Sequence, residues 1–307
     1  MISSFFGKAK PIHFVIVCTV MLLVFVVAKF YNLHETISIN LLAKQLVLLL
    51  ACLIMVFVLD FLVGKNNLTK KNSYKILIFS LFVALMPSTI LNSKLLIANI
   101  FILLALRRII SLRSNREIKK KLFDAAFWIS IATLFYFWAV LFYILIIVGL
   151  ILYRIVDIKN WIVPFIGSLT VVIIGISYMI ISGHNFMGYF NNLIGISFDF
   201  STLNSKRIVI ASTIIFSYGI WSLLYFIRHL KAKSKKSRPS FILVILTAII
   251  GFLIVIVSPH KNGSEFLFLF APLSIIVTNY LETIQEKWFK ETLLLGLIAT
   301  PVLILFL

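Results

Sequence analysis

The chain has 307 residues, of which 62% are hydrophobic and only 13% are charged. Soluble domains have roughly 45–50% apolar and about 25% charged residues, so this composition excludes an ordinary soluble enzyme. The formal net charge of +19 falls in short clusters between apolar runs, a pattern that indicates membrane topology and predicts no nucleic-acid partner.

Apolar runs of about 16 to 22 residues recur along the chain, and a helix needs roughly 20 apolar residues to cross about 30 Å of hydrocarbon. We therefore predict eleven spans, at residues 12–30, 41–64, 76–92, 93–109, 123–138, 139–154, 161–182, 207–228, 241–258, 265–281 and 292–307. The gaps are too short for a soluble domain with its own core. The sequence thus predicts an all-α polytopic transmembrane bundle, with residues 1–307 forming a single integral membrane domain.

The Lys and Arg residues are sorted into alternate gaps between the apolar runs. Placing the N-terminus inside puts 23 of the 29 cations on the inner side, where cationic loops are retained during insertion. The odd number of spans then places the C-terminus outside. Six cations are predicted to lie at the outer side, namely Lys29, Lys44, Lys94, Lys206, Arg207 and Lys261.

The apolar stretch 123–153 has two interpretations. As a single helix it would be about 46 Å long, which exceeds the thickness of the hydrocarbon. A single span would also move the six cations of 228–238 to the outer side, against the positive-inside rule. We therefore predict a hairpin that turns near Tyr136-Phe137-Trp138, although no Gly, Pro or Asn marks that turn.

Ionisable residues are nearly absent from the middle of the predicted spans. Lys44 and Asp60 lie near the ends of the second span, where their side chains can reach an interface. Ion-coupled transporters usually carry charged groups at midplane, so a transporter ranks third among the functions considered. Cys18 and Cys52 lie inside apolar runs and no metal or phosphate-loop motif occurs, so we predict no metal and no cofactor.

The predicted outer loops combine imidazoles with carboxylates. Such pairs are His34 with Glu35, His184 with Asp199, and His260 with Glu265. A carboxylate or imidazole at the membrane surface can accept a proton from an attacking hydroxyl, and outer cations can pair with phosphate oxygens. We take Glu35 and His34 as catalytic candidates, and Lys44, Lys206 and Arg207 as candidates for binding phosphate or lipid.

The opening Phe5-Phe6-Gly7-Lys8-Ala9-Lys10-Pro11-Ile12-His13-Phe14 resembles the start of an uncharacterised family of bacterial multi-spanning inner-membrane proteins. That resemblance would cover the whole chain and implies no activity.

Residues 85–155 resemble the middle of C-type membrane glycosyltransferases, in an outer Pro-Ser hairpin, a cationic inner loop and the segment Leu122-Phe123-Asp124-Ala125-Ala126-Phe127. The resemblance implies a polyprenyl-phosphate sugar donor and an acidic residue in the first outer loop, a place that Glu35 occupies. The chain departs from that family because loop 31–40 is short, lacks paired acids, and is not accompanied by an outer soluble domain.

Two functions therefore stay open, and with them the question whether the chain is an enzyme. The leading hypothesis is transfer of a sugar or similar group from a lipid-phosphate donor on the outer face, with membrane lipids and a polyprenyl phosphate as partners. The alternative is a non-enzymatic membrane component that scaffolds a cell-envelope complex with other envelope proteins. Both hypotheses place the chain in a bacterial cytoplasmic (inner) membrane.

Overall fold

The computed structural model describes residues 1–30, 39–183, 195–259 and 261–306. Within these ranges the chain is an all-helical bundle and contains no β-strand. A helix satisfies every backbone N–H and C=O inside its own segment, which apolar runs in hydrocarbon require. The predicted fold class is therefore confirmed for the part of the chain that is described.

The described residues form thirteen α-helices, numbered here in chain order. They are α1 (Ile2–Phe6), α2 (Pro11–Phe30), α3 (Ile39–Asn66), α4 (Tyr74–Leu85), α5 (Ser88–Leu91), α6 (Ser93–Ile110), α7 (Ile118–Phe135), α8 (Tyr143–Leu152), α9 (Ile158–Ile181), α10 (Lys206–His229), α11 (Arg238–Val257), α12 (Leu267–Thr283) and α13 (Lys287–Leu305). Short 3-10 helices cover Ser111–Ser114, Phe137–Phe142, Ser201–Leu203, Leu230–Ala232 and Ser264–Phe266.

Eight of the helical segments in the described ranges are long and apolar enough to cross a bilayer. They are Pro11–Lys29, Ile39–Asn66, Ser93–Ser114, Ile158–Ile181, Lys206–Ala232, Arg238–Val257, Ser264–Thr283 and Lys287–Leu305. Each coincides with a predicted span, and together they identify a multi-pass membrane protein. The count of eleven is not confirmed, because the other three predicted spans fall on shorter or more highly charged helices.

The predicted span 76–92 is wrong as a continuous helix. Helix α4 ends at Leu85, and Met86 has φ −128° and ψ 77°, outside the helical region. The ring of Pro87 disfavours helical geometry at the residue before it, so the chain bends at Met86 and resumes as the short helix α5.

The apolar stretch 123–153 is folded as two helices side by side. Helix α7 ends at Phe135, and Tyr136 has an extended backbone with φ −148° and ψ 107°. The Tyr143 hydroxyl donates to the carbonyl of Ala126 at 3.0 Å, which places the start of the second helix alongside the middle of α7. The chain therefore reverses where the sequence predicts, at a turn that the Tyr136 ring fixes by stacking on Phe268 at 5.6 Å.

One end of the bundle gathers the cationic segments 65–75, 107–121, 154–159, 228–238 and 283–290, and we call it the cationic end. The Tyr153 hydroxyl there lies 3.2 Å from the Ile110 carbonyl oxygen and 3.0 Å from the Ser240 hydroxyl, which joins three of these segments. Asn279 donates to the carbonyl of Leu68 at 2.9 Å and joins two more.

The other end gathers segments 86–94, 136–138, 195–207 and 258–265, and we call it the opposite end. Trp138 Nε1 donates to the Gly195 carbonyl at 3.1 Å, and the Thr202 hydroxyl donates to the Lys261 carbonyl. The loops that the sequence analysis assigns to the two sides of the membrane are therefore separated in the described fold.

Helices α4 and α12 form the centre of the bundle. Every residue of α12 from Leu267 to Leu281 is buried, and α12 packs on α4, α6, α10 and α11. Near the cationic end the Lys75 ammonium pairs with Asp60 at 2.9 Å, and Arg108 pairs with Asp124 at 2.7 Å. Ion pairing lowers the cost of holding these four charges close to hydrocarbon.

Helix α9 lies against α7 through a close approach at Gly167. A Cβ atom there would lie 2.8 Å from the Phe123 carbonyl oxygen and 3.1 Å from the Ala126 Cβ, whereas at Gly175 of the same helix the nearest atom would be 3.9 Å away. We expect Gly167→Ala to destabilise the fold by about 1–3 kcal/mol through overpacking, measured by denaturant titration in detergent. Gly175→Ala is the matched control and should be neutral or stabilising by up to about 1 kcal/mol. Equal stabilities of the two variants would contradict the packing described.

Candidate functional site

Three adjoining cavities lie at the opposite end of the bundle. An apolar groove of about 260 Å³ is joined through Ile208 to a polar cleft of about 310 Å³. Pro259 is shared between that cleft and a third cavity of about 300 Å³. The three spaces therefore form one continuous candidate site.

The apolar groove runs between α2, the α4–α5 bend, the start of α10 and the end of α13. Its walls include Met86 and Pro87 at the bend, and Pro301 in α13. Arg207 lines the groove in the first turn of α10, a helix whose N-terminus is capped by the Ser205 hydroxyl accepting from the Ile208 N–H at 3.3 Å. The groove thus combines an apolar wall with a guanidinium and a helix N-terminus.

The polar cleft holds an acid and a lysine in different environments. Asp199 is exposed, and the Ser201 backbone N–H donates to its carboxylate at 2.9 Å. This hydrogen bonding lowers the pKa of Asp199, so the group is ionised at neutral pH.

Lys261 is buried beside the same cleft. Its ammonium donates to the carbonyl of Ser258 at 2.9 Å and to the carbonyl of Ser197, and it lies 4.7 Å from the centre of the Phe200 ring. Burial lowers the pKa of Lys261, while Glu265 and Asp199 oppose that effect. The lysine therefore ties the 195–200 segment to the 258–265 loop.

The third cavity is lined by the carboxyl of Glu265. This residue is only 2% exposed, and the Ser258 hydroxyl donates to its Oε1 at 3.3 Å. Asn92, Lys94 and Trp138 also line the cavity, as do Tyr136 and several apolar residues. Glu265 stands at the start of the segment Ser264–Thr283, where the helix dipole favours a negative charge.

Gly263 brings the groove and the Glu265 cavity close together. Its φ of +86° lies in the left-handed region that favours glycine, and a Cβ there would lie 3.1 Å from the Ser88 hydroxyl oxygen. Ser88 lines the groove, whereas Glu265, two residues after Gly263, lines the third cavity. The loop that presents the carboxyl therefore rests directly on the wall of the groove.

The sequence-predicted site residues have different outcomes. Glu35 and His34, the catalytic candidates, lie outside the described residues, as do His184 and His260. Arg207, Lys94, Asp199, Lys261 and Glu265 all line the three cavities.

The other two predicted phosphate-binding residues lie elsewhere. Lys44 is exposed in the first turns of α3, and Lys206 is exposed beside Arg207. Neither is among the described residues that line the three cavities.

Sequence reasoning missed four members of the site, namely Asn92, Tyr136, Trp138 and Ser258. The two aromatic residues were interpreted only as a turn at the interface. No local signal identifies them as neighbours of Glu265, because they approach it through tertiary packing. No group of His, Cys, Asp and Glu side chains suited to a metal ion is found among the described residues.

Comparison with known families identifies the chain. A family described as of unknown function, DUF6427, matches residues 7–307. The chain belongs to this family. Membership agrees with the predicted resemblance to an uncharacterised family, and it adds no link to glycosyltransferases. No curated protein and no solved structure matches the chain.

Proposed function

We propose that this multi-pass membrane protein binds a lipid phosphate at the opposite end and transfers the polar group that the phosphate carries. The observation that supports this proposal is the continuity of an apolar groove, an arginine and a polar cleft within one site. A lipid-linked phosphate has the same order of parts: an apolar tail, an anion and a polar head group.

The phosphate is the part of such a ligand that decides affinity. Lipid tails are as apolar as the groove, so moving a tail from bilayer to groove yields little free energy. A guanidinium can pair with two phosphate oxygens, and the α10 N-terminus adds favourable N–H groups and dipole. Arg207 and the capped turn at Ser205 are therefore the proposed phosphate site.

The polar cleft is the proposed site for the head group. The ionised Asp199, the Thr202 hydroxyl and the exposed Asn262 offer acceptors and donors suited to a sugar or similar polyhydroxylated group.

Transfer requires a base for the acceptor hydroxyl, and the proposed base is Glu265. Its carboxylate takes the hydroxyl proton as the acceptor oxygen forms a bond to the transferred carbon. The bond from that carbon to the phosphate oxygen breaks, and its electron pair stays on the phosphate that Arg207 holds. Glu35 remains the rival base predicted from the glycosyltransferase resemblance.

The finer topology belongs to the same proposal. We place the N-terminus and the cationic end inside, the C-terminus outside, and eleven spans between them, because this arrangement satisfies the positive-inside rule. The residence that fits is a bacterial cytoplasmic membrane, with the groove opening toward the outer leaflet.

Arg207→Ala tests the phosphate site. Charge-assisted hydrogen bonds contribute about 1.5–3 kcal/mol, so we expect retention of a polyprenyl phosphate to fall about 10- to 100-fold. The measurement is native mass spectrometry of purified protein titrated with undecaprenyl phosphate.

Lys206→Ala is the matched control for that experiment. It removes the same charge from the neighbouring exposed residue and should change retention less than about twofold. If both variants retain the lipid equally, the groove is not a lipid-phosphate site.

A further inference from the structure

A second cavity lies at the cationic end, away from the proposed transfer site. Its volume is about 240 Å³, and it is enclosed by the last turns of α10 and α12, the start of α11 and the 65–75 segment. Nothing in the proposed function uses it.

Three basic side chains line this cavity: Lys70, His229 and Lys233. The Lys233 ammonium lies 3.4 Å from Asn279 Oδ1 and 4.5 Å from the centre of the Phe241 ring. The Asn279 amide is oriented by donating to the carbonyls of Leu68 and Ile275 at 2.9 and 3.0 Å. The half-buried Lys233 is therefore held in place at the cavity wall.

One acid faces these basic groups. Glu282 Oε1 accepts from the Lys70 backbone N–H at 2.8 Å and from the Asn72 side-chain amide, so this carboxylate is engaged in holding the 65–75 segment. The carboxyl-terminal ends of α10 and α12 also carry partial negative charge that attracts nearby cations. The basic groups still outnumber the single carboxylate at the cavity.

Aromatic side chains form the remaining walls. The Tyr225 and Tyr280 rings are 4.8 Å apart, and Trp221 Nε1 donates to the Tyr280 hydroxyl at 2.7 Å. Tyr and Trp are enriched at the depth of lipid headgroups, where one end of the ring is apolar and the other is polar. A cavity with basic and aromatic walls between helix ends is suited to a phosphate at the membrane surface.

We propose that this cavity binds a phosphate diester of an anionic lipid in the leaflet that faces the cationic end. Basic pockets between transmembrane helices recognise anionic headgroups in this way. The shared chemistry is a phosphate, which a lipid or a free phosphate in solution can supply.

Lys233→Gln tests the proposal with phosphatidylglycerol as the probe. Native mass spectrometry of protein from nanodiscs containing phosphatidylglycerol and phosphatidylcholine should show one retained phosphatidylglycerol on the unaltered chain. We expect Lys233→Gln to lower that retention about fivefold, the effect of losing one lysine beside an anionic lipid. Lys233→Arg keeps the charge and should keep the lipid.

Lys235→Gln is the matched control, because Lys235 is exposed in the same loop and does not line the cavity. It should retain phosphatidylglycerol like the unaltered chain. Millimolar inorganic phosphate separates the two sources, since displacement of the lipid assigns the site to free phosphate and its persistence assigns it to the lipid. Equal losses in Lys233→Gln and Lys235→Gln, or no loss in either, would overturn the proposal.

Discussion

Replacing Glu265 with Gln is expected to lower group transfer about 10²- to 10⁴-fold while the bound lipid phosphate is retained. Glutamine keeps the size of the side chain but cannot accept the acceptor's proton as a base. The residue is 2% exposed and lines a cavity of about 300 Å³, so the substitution changes the chemistry of that cavity more than its shape. The measurement is release of undecaprenyl phosphate from an undecaprenyl-phosphate sugar by purified protein.

Two further substitutions make the result interpretable. Glu286→Gln changes an exposed carboxyl at the start of α13, near the cationic end, and should leave transfer unchanged. Glu35→Gln tests the rival base. If Glu35→Gln abolishes transfer and Glu265→Gln leaves it intact, the base is Glu35 and Glu265 is only structural.

A third result would favour the non-enzymatic alternative. If neither Glu variant changes transfer, and both restore a null strain at normal abundance, neither carboxyl is catalytic. The lipid-binding proposal at Arg207 would still stand or fall by its own titration.

The architecture was predictable from sequence wherever an apolar run is long. The runs at 41–64 and 241–258 coincide with α3 and α11 because no other backbone conformation satisfies its hydrogen bonds in hydrocarbon. The reversal at Tyr136 was predictable only indirectly, from length and from charge parity. Its physical cause is tertiary, since the Tyr136 ring stacks on Phe268 from a distant helix.

The bend at Met86-Pro87 shows a local rule that span-finding overrode. Pro87 predicts a break at the preceding residue, and the structure has that break, yet apolar content alone suggested a continuous span.

The candidate site was predictable in part. Asp199, Lys261 and Glu265 stand in predicted outer loops, and outer polar residues are natural candidates for a site at a membrane surface. Their sequence positions do not reveal that Lys261 is buried with its ammonium on the Ser197 and Ser258 carbonyls. Nor does sequence separate Arg207 from its neighbour Lys206, because which one lines the groove depends on the helical phase of α10.

Cysteine labelling is expected to place residues 120 and 235 in one compartment and residue 204 in the other. Lys120, Lys235 and Asn204 are all exposed, the first two at the cationic end and the third at the opposite end. The chain has only two cysteines, both within helices, so Cys18→Ser with Cys52→Ala provides a background for single substitutions. A membrane-impermeant maleimide should label Asn204→Cys in intact cells, and Lys120→Cys and Lys235→Cys only after permeabilisation.

The three positions test different steps of the topology. Four predicted spans separate residues 120 and 235, so labelling from opposite sides would mean that 123–154 crosses the membrane only once. Three predicted spans separate residues 120 and 204, which must therefore differ. If residue 204 is inside and the other two are outside, the bundle is inverted. The groove at Arg207 would then face the inner leaflet, and an outer-face transferase would be excluded even though lipid binding could persist.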